Sequence, residues 1–390
     1  MHVIINAPAE SYSLYGIKSR ELIKTIKSIH SDWNIEVYNY NEDDVRNGYK
    51  DEEIKSLITA PVNNILPDVW IYVGNPAGFY RRGKKNIGVV MSRDFNPIVS
   101  FINKCNEMDL ILTYSEYSKN SILELAYNSD NNNIKINTPI IVLPEYSILS
   151  ENNFDNKEET FDLLKDVKTE WNFLCDGYWE ITDEVEFGGK NKDNIGFIIR
   201  NFLAAFTDTD INIGLILCVH GKVASILDET RLMKRINDIC DEKEFEGKRP
   251  KIYLINNDLT QEERFNLYND PRVCVLVSIP QRSDSAQMEL DFAITSGKPI
   301  MYSNYGAQKE VLNYPGNMEI NGNLKRNGTE PIIIDTFASE LKLGLYDIYH
   351  HYQKLLFSSN INSSLITNIF NKDNYREVVN NIINELIKEQ

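Results

Sequence analysis

Short apolar runs alternate with helical patterns from one end of the chain to the other. HVIIN (2–6) reads as a strand. SRELIKTIKSIH (19–30) follows, with Leu22, Ile23, Ile26 and Ile29 near the spacing of one helix face. IEVYNY, PDVWIYVG, NIGVVM, DLILTYS and PIIVLPEY are further β-rich runs. NPIVSFINKCNEM and SKNSILELAYN between them read as helices. Such alternation predicts a mainly parallel sheet flanked by helices.

Residues 148–168 break this rhythm. The segment is acidic, rich in Asn and weakly apolar, as a connection between domains would be. The alternation then restarts with WNFLCDG, NIGFIIRNFLAAF, NIGLILCVHG, DETRLMKRINDICDE, PKIYLIN, QEERFNLYN and VCVLVSI. SDSAQMELDFAITSGKPIMYSN (283–304) closes it: a polar start, a helix-like run, a break at Ser296-Gly297 and a short strand. NYPGNMEINGNLKRNGTEPIII (313–334) reads as loop-rich, and the tail NYREVVNNIINELIKEQ as an amphipathic helix. The expected division is a first domain at 1–150, a linker at 151–168, a second domain at 169–370 and a terminal helix at 371–390. Two open parallel sheets leave a cleft, and ligands sit outside the carboxyl ends of the strands. That brings three loops to the cleft: PAESYSLYG, CDGYWEITDEVEFGGKNKD and PQRSDSAQ.

Composition narrows the function. The chain has 390 residues, 42 % hydrophobic and 25 % charged, a globular balance that suits two domains. No apolar run is long enough for a membrane span, and MHVIINAPAE has no charged leader region, so a cytoplasmic protein is expected. The five cysteines (105, 175, 218, 240, 274) lack a CxxC pair and read as reduced thiols. The histidines show no metal-ligand spacing, and His350-His351 reads as a helix-surface pair. A net charge of −16 argues against broad binding to nucleic acid. One basic patch, Arg81, Arg82, Lys84 and Lys85, reads either as a solvated loop or as a loop facing phosphate or acceptor.

Five segments, in order from Ala7 to Gly306, carry a family likeness. They are APAESYSLYGIKSRE, GNPAGFYRRGKKNIGVVMSRDF, INKCNEMDLILTYSEYSKNSILE, NNDLTQEERFNLYNDPRVCVLVSI and the 283–306 stretch ending SGKPIMYSNYG. Together they resemble the retaining GT-B glycosyltransferases, especially the branch common in bacteriophages and some bacteria. The resemblance implies two Rossmann-like domains facing a cleft. It also implies an acceptor on the N-terminal side, a nucleotide-sugar donor on the C-terminal side, and a terminal helix that packs back on the first domain.

It implies site residues too. The family frames the donor with two carboxylates separated by seven residues. Those positions fall on Ser283, which has lost the acid, and Asp291, which keeps it one methylene shorter than the usual Glu. Asp291 reads as a ribose ligand or as a helix-start acid favoured by the dipole. The neighbouring Asp284 reads as a substitute ligand or as a helix N-cap. The family's glycine-aromatic turn is replaced by RSDSAQ, where Arg282 offers a compensating charge or a rim position. Its basic pair falls on Lys192 and Asp193; Lys192 suits a diphosphate, Asp193 repels one, and Lys190 lies in the same glycine-rich loop. In the first domain Gly16 reads as the glycine that lets backbone approach the donor, flanked by Tyr15, Lys18 and Arg20, the last of which reads equally as a helix-surface residue. Asp94 is a candidate proton acceptor or a salt-bridged cap, and His220 a general base or a polar wall of the cleft.

The function this implies is sugar transfer from a nucleoside diphosphate to a saccharide, protein or modified-nucleobase acceptor, with retention and with no obligatory metal or other cofactor. The alternative is a GT-B protein whose site has degenerated into a nucleotide-binding or partner-binding module. A nucleotide-sugar epimerase shares the fold, but wants more converging carboxylates than this chain offers. Nothing in the pattern speaks to oligomeric state.

Overall fold

A computed structural model describes residues 1–42, 47–91, 99–127, 135–144, 163–179, 193–220, 225–257, 259–281, 288–325, 333–369 and 372–388. Two six-stranded sheets organise the chain. The first contains β1 (His2–Ala7), β2 (Asn34–Asn39), β3 (Val69–Val73), β4 (Lys85–Val89), β5 (Leu110–Thr113) and β6 (Ile140–Val142). Its spatial order is β2-β1-β3-β4-β5-β6, and every pairing is parallel. The second contains β7 (Trp171–Tyr178), β8 (Ile213–His220), β9 (Lys251–Ile255), β10 (Val273–Ser278), β11 (Ile300–Ser303) and β12 (Met318–Ile320). Its order is β12-β11-β10-β7-β8-β9, again all parallel.

Strand direction follows from the connections. Parallel neighbours need crossovers, and helices supply them: α1 (Leu14–Ile29), α3 (Val99–Asn106) and α4 (Glu116–Tyr127) in the first half, with a short α2 (Glu52–Lys55). In the second half they are α5 (Ile195–Phe206), α6 (Ile226–Cys240), α7 (Gln261–Asn269), α8 (Met288–Thr295) and α9 (Ala307–Leu312). Helices on both faces explain why the strands are apolar throughout rather than alternating. Four buried clusters result, one on each face of each sheet. Residues 163–168, inside the expected linker, already belong to the second half, since Leu164 is buried in its core.

Three helices close the chain: α10 (Ala338–His350), α11 (Tyr352–Ile369) and α12 (Lys372–Lys388). The first two stay with the second half. α12 buries Tyr375, Val379, Ile382, Ile383 and Leu386, a single helical face, in the first core beside α1. The Tyr375 hydroxyl lies 3.4 Å from that of Tyr114, at the end of β5. The segment expected to be loop-rich holds β12 and an antiparallel hairpin, β13 (Gly322–Lys325) and β14 (Ile333–Thr336). These strands are three or four residues long, too short to show a period among Gly and Asn.

Among the described residues no helix is long and apolar enough to cross a membrane, and no cluster of His, Cys, Asp and Glu has the makings of a metal site. Four of the cysteines are buried thiols and Cys240 is half-buried. His350 packs against Tyr346 at a tilt and against Tyr349 edge-on at the end of α10.

Candidate functional site

Strand order fixes where a ligand would fit. The second sheet reverses direction between β7 and β10: the chain builds outward through β8 and β9, then returns to the other side of β7. Connections diverge at such a point and leave a crevice outside the carboxyl ends of the two strands. The helices that follow, α5 after β7 and α8 after β10, point their N-termini to the same end, where the helix dipole favours an anion.

The floor of this crevice is tightly tied. Asp193 accepts a hydrogen bond from the Tyr178 amide (2.7 Å), so its carboxylate is turned onto the last residue of β7. Asn194 precedes α5 in a left-handed conformation (φ 57°), fully buried. Its amide donates to the Ile279 carbonyl (2.7 Å), lashing the start of α5 to the end of β10. Asn tolerates this conformation better than most residues. The Gln308 amide donates to the Ser278 hydroxyl (2.6 Å), and the Ser303 hydroxyl to the Pro280 carbonyl (2.8 Å). These bonds set the path of β10 into residues 282–287.

Asp291 sits one turn into α8 and is half-buried; its carbonyl accepts from the Thr295 hydroxyl (2.7 Å). Leu290, Phe292, Ala293 and Ile294 around it are buried in the second core and fix the helix. His220 ends β8 in register with Tyr178 at the end of β7, on the crevice side of the sheet. Lys190, Lys192, Arg282, Ser283, Asp284 and Asp94 lie outside the described residues.

Sequence reasoning passed over a charged pair under the crevice. Asp176, on β7, faces Arg264 of α7 at 2.5 Å, with side-chain exposures of 4 % and 9 %. The Tyr268 hydroxyl donates to the same carboxylate oxygen (2.9 Å). A cavity of about 20 Å³ beside them is lined by Leu174, Tyr268, Leu276, Ser278 and Leu290, room for about one water molecule. An acid inside the apolar run WNFLCDGY was the available signal: a charge at a buried strand position requires a partner.

The first domain's candidate donor residues are packed within their own loop. Gly16 was read as allowing backbone to approach the donor; the close approach is to the chain's own loop. A Cβ there would lie 2.2 Å from the Ser11 carbonyl oxygen and 3.0 Å from that of Pro8. Arg20 is buried (4 % exposed), and its Nη1 donates to the carbonyls of Ala9 (2.8 Å) and Ser11 (2.7 Å). Its guanidinium lies 3.9 Å from the centre of the Tyr49 ring, and burial lowers its pKa below the ordinary arginine value. Lys18 forms a buried pair with Glu21 at 3.0 Å. The Tyr15 hydroxyl is 3.2 Å from both the amide and the carbonyl oxygen of Met91, so it clamps the end of β4 just before residues 92–98. Together these residues shape the β1–α1 loop rather than reaching out of it. Gly16→Ala is therefore expected to lose about 1–3 kcal/mol of stability, because only backbone atoms stand in the way and they must move. Urea denaturation measures this; a variant as stable as the parent contradicts the packing.

The basic patch is elsewhere. It precedes β4, and Lys85 pairs in register with Val69, the first residue of β3, so it lies at the amino ends of the strands, away from the cleft. Arg81 pairs with Asp109 (2.8 Å) and Lys84 with Asp68 (2.6 Å). Arg82 donates to the Val62 carbonyl (2.5 Å) and lies over the Tyr38 and Trp70 rings. Of the two readings of this patch, the placement agrees with a solvated loop and sets it apart from the crevice.

No family model matches the sequence, and no curated protein matches it. Solved structures do. A glycosyltransferase from Rickettsia africae ESF-5 is 14 % identical, with a TM-score of 0.65 over 100 % of this chain and 99 % of that one. Anabaena Alr3699/HepE in complex with UDP and glucose is 10 % identical, with a TM-score of 0.61 over the whole of both chains. An E. coli trehalose-6-phosphate protein bound with UDP-2-fluoro glucose is 10 % identical, with a TM-score of 0.60 over 99 % of each chain. At these identities the likeness speaks to architecture, and this chain's architecture is two open, parallel, helix-covered units. The chain has the GT-B fold.

Proposed function

We propose that this protein is a glycosyltransferase whose second half holds a nucleoside-diphosphate sugar at the β7–β10 crevice. The carrying observation is the crevice itself: two helix N-termini converge where the strand order reverses, and the half-buried acid of α8 stands beside it. Structural neighbours described with UDP or UDP-sugars support a uridine nucleotide as the first donor class to try.

In this reading the N-terminus of α5 and the lysines preceding it, Lys190 and Lys192, take up the charge that develops on the leaving diphosphate. Arg282 adds to this from the β10–α8 loop, where Ser283 and Asp284 stand at the family's first carboxylate position. Asp291 accepts hydrogen bonds from the ribose diol. Asp193, turned to the Tyr178 amide, presents less of its charge to the phosphates than its position in the sequence suggests. The acceptor approaches from the first half, across the loop that Tyr15, Gly16 and Arg20 hold in shape. Its oxygen bonds to the anomeric carbon as the bond to the diphosphate breaks on the same face, and its proton passes to the leaving phosphate oxygen. Retention follows from that geometry. Asp94 and His220 are the side chains assigned to orient the acceptor hydroxyl. The bacteriophage-like branch remains the family reading, with saccharide and protein acceptors ahead of a modified nucleobase because of the chain's −16 charge.

A second reading, a GT-B protein that binds a nucleotide or partner without transferring sugar, is favoured by Ser283 and by the absence of the glycine-aromatic turn. A thermal-shift screen over uridine, guanosine, adenosine and thymidine diphosphate sugars, followed by assay of released sugar, separates the two. A donor that raises the melting temperature and is consumed supports transfer. Stabilisation without turnover supports nucleotide binding alone, and no response to any donor defeats the transfer reading. Asp291→Ala is expected to weaken donor binding by about 1–3 kcal/mol. Unchanged affinity in a folded variant removes it from the site.

A further inference from the structure

The first turn of α4 has an unusual partner. Four backbone N–H groups at a helix start lack intrahelical acceptors. In α4 three of them can be traced. Ser118 donates to the Ser115 hydroxyl (3.0 Å), an ordinary local cap, and the bond from Lys119 to the Ser115 carbonyl (3.1 Å) is the first within the helix. The other two leave the domain. Glu116 N–H donates to Glu310 Oε2 (3.0 Å) and Tyr117 N–H to Glu310 Oε1 (2.6 Å), each carboxylate oxygen taking one bond. Glu310 belongs to α9 in the second half, more than 190 residues along the chain. Beside this contact the ring of Tyr117 meets that of Tyr305 edge-on, 5.2 Å between centres.

Position and exposure give the contact its meaning. α4 begins at the carboxyl end of β5, and α9 begins just past the carboxyl end of β11. Both ends face the cleft, so the bond runs across its mouth. Glu310 and Glu116 are solvent-exposed. A carboxylate on helix N–H groups is a charge-assisted interaction favoured by the dipole, yet water at its side keeps it modest and breakable. A second connection between the halves, among the described residues, is of a different kind: α12 buries five apolar or aromatic side chains in the first core. One join is a packed hinge; the other is two hydrogen bonds and a ring edge.

We propose that Glu310 is a reversible clasp that holds the cleft closed by capping α4 from the opposite domain. The proposal does not depend on what the cleft binds. Its test is backbone hydrogen exchange together with small-angle scattering on the full chain, parent against Glu310→Ala. The expected result is exchange at the Glu116 and Tyr117 amides about tenfold faster, the Ser118 amide unchanged, and a larger radius of gyration. Parent-like exchange at Glu116 and Tyr117, or parent-like scattering, overturns the clasp. So does faster exchange throughout α4, which would make Glu310 a stabiliser of that helix alone.

Discussion

Asp176→Ala is expected to destabilise the protein by about 3–5 kcal/mol. The acid lies on β7 with 4 % of its side chain exposed, and Arg264 faces it from α7 at 9 %. Two opposite charges this deep in the protein offset most of each other's desolvation, so the intact pair adds little net stability. Removing one of them is costly, because the guanidinium then stays buried without the carboxylate that faces it, and the Tyr268 hydroxyl loses its acceptor. The double replacement Asp176→Leu with Arg264→Met is expected to be much milder than Asp176→Ala, since neither charge is then left behind. Chemical denaturation of Asp176→Leu, Arg264→Met and their combination forms the necessary cycle, with Asp176→Ala measured beside it. A loss under about 1 kcal/mol for Asp176→Ala would mean that water reaches the pair. Because β7 forms one wall of the crevice, the single variant is also expected to loosen the site above it.

The second large effect is a pH dependence. Lys298 precedes β11, is 8 % exposed, and donates from Nζ to the Asp270 carbonyl at 2.6 Å. Burial lowers its pKa from 10.5 to about 8, with Cys274 and Asp270 opposing the shift only in part. The folded state therefore holds the proton less tightly than the unfolded state. Between pH 8 and 10.5 the unfolded chain binds more protons, and this group's contribution to stability rises with pH. Below pH 8 that contribution is lost. Lys298→Met removes the titration. The advantage of the variant over the parent is expected to shrink by about 3 kcal/mol across this window, the other titrating groups being common to both. Parallel stability curves for the two proteins would show that Lys298 keeps its proton as it does in water.

These two residues also show how far the sequence can be read. Most strands were legible because both faces of each sheet are covered, which turns them into apolar runs bounded by polar loops. The terminal helix was legible because Tyr375, Val379, Ile382, Ile383 and Leu386 repeat on one face. Short strands such as β12 were not, since three residues carry no period. The site was legible only in outline. Loops at strand ends can be named from order alone, but what a loop residue touches depends on backbone path. Gly16 looked like room for a ligand and is room for the Ser11 carbonyl. Arg20, which reads as a flank of Gly16 or as a helix-surface residue, spends Nη1 on two carbonyls of its own loop. The Asp176–Arg264 pair joins residues far apart in the chain, and the clasp of Glu310 on α4 joins two domains. The acid within WNFLCDGY signals that Asp176 needs a partner without saying which, and the clasp leaves no local pattern.

The most direct test of where the nucleotide sits is a crystal structure of the protein grown with UDP. The account predicts the diphosphate against the first turn of α5 and the ribose hydroxyls within hydrogen-bond distance of the Asp291 carboxylate. UDP lodged away from the ends of β7 and β10, or a crevice that stays empty at saturating UDP, would contradict it.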